Sequence, residues 1–191
     1  MLYEMRTWRD QLPSSLPPAV REIFEFELLY SYVYCLGSSC RNPEVSELGK
    51  ILIFEYAMDY INRLSNVVAD QTHNGFYTYH DALRCFFMGS QFIAVLSQGM
   101  DNLLHQQGTI PPYQNFPSRG PPPPPIPNYG RTDNVERSLA CIDKVVRILG
   151  IYGERWEDST QLRRTFEAHA KNVKMQLEGR LGRTQGLPLS I

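Results

Sequence analysis

The sequence is short of most features that announce chemistry. It has four cysteines in 191 residues, at Cys35, Cys40, Cys85 and Cys141. A secreted disulfide scaffold is far denser in cysteine than this. A structural zinc site brings its ligands in tight pairs such as C-x-x-C, because two of them must reach one tetrahedral ion. Here Cys35 and Cys40 stand five apart, and the other two are isolated among apolar residues. All four read as packed core thiols. The histidines (His73, His80, His105 and His169) share no ligand spacing either, so no metal and no cofactor is expected. Charge of one sign is also missing: 19 basic against 20 acidic residues leave a net of -1. A nucleic-acid binder normally carries a clear basic excess.

Long apolar runs are absent as well. Cys85 to Met100 is free of charge but is broken by Gly89, Ser90, Gln91, Ser97 and Gln98. A membrane span needs about 20 predominantly apolar residues. The first residues, Met-Leu-Tyr-Glu-Met-Arg, carry charge at Glu4 and Arg6 and lack the apolar segment of a signal peptide. These features lead us to expect a soluble intracellular chain with reduced thiols. Serine-hydrolase elbows, phosphate-cradling glycine loops, dinucleotide fingerprints and H-E-x-x-H are all missing. Gly37-Ser38-Ser39 lacks the surrounding G-x-x-x-x-G-K-[ST] and reads as a helix exit. No enzymatic activity is expected.

What is present is apolar and aromatic: 42% hydrophobic residues, with eleven Tyr and nine Phe, enough to bury a core. Helical periodicity dominates and strand-type alternation is not found. The expected fold is all-α, an irregular bundle of about five to six helices with a proline-rich loop. A short helix over Tyr3–Leu12 precedes Pro13. A second starts near Pro18, a favoured first-turn residue, and stops at Gly37. Its Leu28–Leu36 part is apolar nearly all round, which predicts a central position. A third, Val45 to Ala69, sets Ile51, Phe54, Ala57, Ile61, Leu64 and Val68 on one stripe, with Glu47, Glu55, Asp59, Asn62 and Asn66 largely opposite. Thr78 and Asp81 form a capping-box pair opening a fourth helix, which ends before Gly108. Gly89 and Gly99 weaken it by about 1 kcal/mol each unless they admit a close neighbour.

Residues 111–132 change character. Pro111 to Pro127 holds nine of the fourteen prolines, five of them consecutive, and reads as an extended linker or loop. Helices resume at Asp133, with Glu136 in a second capping-box arrangement, and Val135, Leu139, Ile142, Val146 and Leu149 form a face. The last helix starts near Asp158, with Gln161 at the capping position, and carries Leu162, Phe166, Val173 and Leu177. The expected organisation is a helical core over 1–110, the linker over 111–132, a C-terminal helical pair over 133–182 packing on the core, and a flexible tail over 183–191. Charge divides along the same boundary. Residues 1–107 carry seven basic and twelve acidic groups, while residues 131–191 carry eleven and eight. Opposite signs favour docking of the two parts, within the limits set by screening.

Four clusters invite a functional reading. His80-Asp81 with Arg84 resembles a catalytic group, but neighbours on a helix point about 100° apart and Asp81 has a capping role. Arg163, Arg164, Lys171 and Lys174 form a basic stripe, interleaved with Glu167 and Glu178 as on a solvated helix face. Arg119, Pro122 and Pro125 fit the R-x-x-P-x-x-P spacing of proline-module ligands and are the candidate partner-binding residues, against a plain spacer. The aromatics Tyr30, Tyr32, Tyr34, Phe54, Tyr56, Tyr60, Phe86, Phe87 and Phe92 read as core, with a ligand-lined pocket as the alternative.

Trp8 followed by Leu12-Pro13 is similar to the W-x-x-x-L-P signature of the fungal-specific transcription factor regulatory domain found in zinc binuclear cluster regulators. Leu28–Leu36 resembles that family's aromatic- and Leu-rich segment. Tyr79-His-Asp-Ala-Leu-Arg84 and Gln91-Phe-Ile-Ala-Val-Leu96 also resemble such regulators. The resemblance covers roughly residues 1–107. It implies the C-terminal part of an all-helical regulatory region, located in the nucleus, that acts through protein partners of the transcription machinery or a small-molecule effector. The family's DNA-binding cluster needs six closely spaced cysteines, which have no counterpart here, so the resemblance implies no direct nucleic-acid contact by this chain. Two other readings remain: an adaptor working through the proline run, and a small-molecule-binding or enzymatic helical protein of specialised metabolism.

Overall fold

The structure, a computed structural model, describes residues 2–38, 43–69, 78–105, 126, 128 and 130–185. These residues form six helices and, among them, no strand: α1 (Leu2–Asp10), α2 (Pro18–Leu36), α3 (Glu47–Ala69), α4 (Tyr79–Leu104), α5 (Asn134–Gly153) and α6 (Glu157–Gln185). The all-α multi-helix bundle expected from periodicity is what forms. The proline run, with Arg119, Pro122 and Pro125, lies outside the described residues, as do Cys40 and Gly108.

Local chemistry sets several boundaries. Pro18 opens α2, and the Gly37 amide closes it on the Val33 carbonyl at 2.9 Å. Asp81 reaches back to the Thr78 amide at 2.8 Å and to its hydroxyl at 2.9 Å, fixing the start of α4. The corresponding expectation for Asp133 fails. Its carboxylate is taken by the Arg131 guanidinium at 2.7 and 2.5 Å and caps nothing. The last helix starts at Glu157 and runs on to Gln185, through residues expected in the tail.

Helix directions follow from which residues meet. Glu55–Arg137, Asn62–Lys144 and Ser65–Arg147 all share an offset of 82 residues, so α3 and α5 run parallel in constant register. Glu27–Arg84 and Tyr30–Phe87 share an offset of 57, making α2 and α4 parallel. Sequence neighbours are antiparallel: Phe54 stacks on Phe92 across α3 and α4, while Ser159 bonds the Leu149 carbonyl across α5 and α6. The result is an up-and-down zigzag in two layers. Helices α2, α4 and α6 form one, and α3 and α5 the other; α2 and α6 do not touch. Helix α1 lies on α2, where Trp8 meets Phe24 edge-on at 5.3 Å and Arg9 pairs with Glu25 at 2.7 Å.

The central helix is α4, which packs on α2, α3, α5 and α6, and not α2 as its composition implied. Gly89 makes this possible. A Cβ there would stand 2.8 Å from the Phe166 ring and 3.0 Å from Val145, so α5 and α6 approach α4 where the side chain is missing. Gly99 does something else: its backbone (φ -147°, ψ 35°) leaves the helical region and kinks α4, with only the Lys50 side chain near.

Helix α3 departs most from expectation. Residues 52–58 are all buried, including Glu55, because α2, α4 and α5 enclose them. The Glu55 side chain is 0% exposed and takes both Arg137 terminal nitrogens, at 3.1 and 2.7 Å. Arg137 also donates to Asn134 Oδ1 at 2.5 Å, and the Asn134 amide donates to the Leu103 carbonyl at 3.2 Å and the Arg131 carbonyl at 3.1 Å. One buried polar chain thus ties α3, α4 and the start of α5. The charge division is realised in the same place. Arg137–Glu55 and Arg180–Asp101 (2.7 Å) both join a C-terminal cation to an N-terminal carboxylate.

Candidate interaction surface

Several aromatics expected in the core are found there. Phe54 and Phe92 are fully enclosed, and Tyr32, Tyr56 and Tyr60 are nearly so. Burial raises the pKa of all three tyrosines, since their ionised forms would lose hydration. The Tyr32 hydroxyl is buried without a protein hydrogen-bond partner. Cys85 and Cys141 are fully buried, and desolvation pushes the Cys141 thiol up to about 12.

Others were assigned to the wrong side. Tyr34 is 66% exposed and Tyr30 and Phe87 are half-buried, all three on the outer face of the α2/α4 pair. Ile23, Glu27, Tyr30 and Tyr34 follow spacings of four, three and four and so share one stripe of α2. Leu83, Arg84 and Phe87 answer from α4. Tyr30 and Tyr34 are near-parallel, 21° between planes and 6.3 Å between centroids, and Phe87 lies 5.4 Å from Tyr30 and 6.2 Å from Tyr34. The Arg84 guanidinium sits 4.9 Å over the Tyr30 ring and grips both Glu27 oxygens, the second at 3.1 Å. Burial works against the Arg84 charge, but Glu27 outweighs it and the pKa rises. The ion pair and the cation over the ring fix the aromatic side chains from below. Ile23 (57% exposed) and Leu83 (39%) extend the apolar surface.

Large apolar side chains scattered singly over a surface are ordinary; a contiguous set of them framed by charge is what contact surfaces look like. Aromatic rings held rigid by neighbours lose little entropy on contact, which suits them to be anchors.

The remaining sequence candidates separate. His80 is exposed, Asp81 is engaged by Thr78 and Arg84 by Glu27, so the three do not converge on one site. On α6, Glu167 pairs with Arg163 at 3.0 Å and Lys174 reaches across to Asp143 of α5 at 2.7 Å. Among the described residues no group of three or more His, Cys, Asp or Glu could hold a metal ion. No described helix is long and apolar enough to cross a membrane. In comparisons with known proteins, no family model, no curated protein and no solved structure matches the chain.

Proposed function

We propose that this chain is a protein-contact module of a transcription regulator, working in the nucleus without reading bases itself, and that the α2/α4 outer face is its contact surface. One observation carries the reading. Two segments that resemble the fungal regulatory domain, Leu28–Leu36 and Tyr79–Arg84, supply much of that face: Tyr30 and Tyr34, Leu83 and Arg84. A core would explain apolar residues at these positions only if they were covered, and Tyr34 and Leu83 are not. Exposed, rigid aromatics over an ion pair suit a protein partner that brings an apolar side chain to their centre.

The test tethers the full chain to a heterologous DNA-binding domain upstream of a reporter. The wild-type chain is expected to change reporter output, and Tyr34→Glu with Ile23→Glu to abolish the change while leaving far-UV circular dichroism intact. An unchanged reporter with the wild-type chain, or full activity of the double variant, would refute the proposal.

A further inference from the structure

The zigzag ends at α6, and its last groove is open. Every earlier sequential pair between α2 and α6 is covered by a helix two places away: α4 lies on α2 and α3, α5 on α3 and α4, α6 on α4 and α5. Helix α4 backs both α5 and α6, and no other described helix touches the two of them. Between them runs a groove of about 270 Å³ with Ile142, Val146 and Ala170 as its apolar floor. Met175 stands on its lip, 60% exposed, with Lys171 and Glu178 beside it.

We infer that the α5/α6 groove is the interface of a two-fold homodimer in which α6 of a second copy lies antiparallel along α6. Two properties of the chain single out a second copy as the occupant.

The first is charge. On the outer face of α6, Arg164, Ala168, Lys171, Met175, Glu178 and Gly182 follow alternating spacings of four and three and form one stripe. A two-fold axis beside Met175 sets residue i against residue 350 − i or its neighbour. Lys171 of each copy then faces Glu178 of the other, twice over. A like pattern of charges in parallel would set Lys171 against Lys171, so the sequence selects the antiparallel arrangement. An isologous contact needs this self-complementarity, in which i meets j and j meets i.

The second is direction. In an up-and-down zigzag, the next helix after α6 would run antiparallel to α6 and parallel to α5. A two-fold axis perpendicular to α6 supplies a helix in that sense. Met175 of each copy then has the other's groove within reach, replacing water over the half-buried Val146 with a flexible side chain that adapts to irregular grooves. This surface is at the far edge of the bundle from the α2/α4 face, so the two contacts do not compete and the inference stands without the functional proposal.

Sedimentation equilibrium of the full chain tests it, at about 100 µM, where a micromolar contact is saturated. The expected mass is twice 22.0 kDa. Met175→Glu places two like charges on the axis and should weaken association by about tenfold or more. Lys171→Glu should do the same, and Lys171→Glu combined with Glu178→Lys should restore the dimer. Met175, Lys171 and Glu178 are not core residues, so circular dichroism should match wild type throughout. A monomeric wild-type chain would overturn the inference. So would a dimer insensitive to Met175→Glu, a dimer broken instead by Tyr34→Glu, or failure of the charge swap to restore what Lys171→Glu removed.

Discussion

Replacing Arg137 with alanine is the sharpest probe of how this bundle is held. Glu55 has no exposed side-chain surface, whereas Arg137 keeps 15% of its side chain in contact with solvent. Removing the arginine therefore strands a carboxylate that cannot reach water. Breaking a buried pair from one side costs about 3–5 kcal/mol, a large part of the roughly 5–15 kcal/mol that stabilises a domain. The same change removes the donor that holds Asn134 Oδ1, and with it part of the anchor between α5 and the end of α4. Glu55→Ala should cost less, about 1–3 kcal/mol, because Arg137 retains Asn134 and an edge to solvent. The double replacement Glu55→Leu with Arg137→Met exchanges two desolvated charges for apolar packing and should come within about 1 kcal/mol of wild type. Urea unfolding followed by far-UV circular dichroism gives all three values. The reasoning is refuted if Arg137→Ala costs less than about 1 kcal/mol, or if the double variant loses the sum of the two single losses.

Two further perturbations follow from the packing. Gly89→Ala should destabilise despite the better helix propensity of alanine, because the new methyl meets Phe166 at 2.8 Å and Val145 at 3.0 Å; overpacking of about 1–3 kcal/mol exceeds a propensity gain of about 1 kcal/mol, and a raised thermal midpoint would contradict this. Tyr56 and Tyr60 have folded-state pKa values raised by burial above an ordinary value near 10. Their contribution is therefore complete below pH 10 and is lost as pH rises past it, since only the unfolded chain can then release the protons. The loss is about 1.4 kcal/mol per pH unit for each tyrosine. Helicity and tyrosine absorbance should change together on alkaline titration, and Tyr60→Phe should move that transition to higher pH. Phenolate absorbance of these residues growing at ordinary pH with helicity unchanged would disprove it.

Much of the helix layout was legible because its punctuation is local. Pro18 and Gly37 delimit α2 by what their own backbones allow, and Asp81 reaches a Thr78 amide three residues away. What was not legible depends on partners distant in sequence. The periodicity of α3 places Glu55 on a polar side, and nothing near it announces an arginine 82 residues on. Asp133 looked like a cap until Arg131 claimed its carboxylate, a competition between two local roles that composition does not rank. The contact face was misread for a related reason. A helix apolar nearly all round, such as Leu28–Leu36, reports how much surface could be covered. Which side stays open is decided by where α3 and α4 stand, so Tyr30 and Tyr34 went to the core alongside Tyr32. The helical face that sequence does locate on α6, with Phe166, Val173 and Leu177, is a single apolar stripe buried against α4 and α5.

The Asn134 amide, within hydrogen-bond reach of the Leu103 carbonyl, closes a ring in the chain. These two residues stand at the ends of the interval between α4 and α5, so those ends are joined by the fold. The cost of closing such a ring grows only as the logarithm of its length, about 0.6 kcal/mol for a doubling. Sequence can therefore accumulate or vanish there with little effect on the helices on either side. The proline run falls in this interval. A cut within it would leave two pieces still clasped by Glu55 and Arg137.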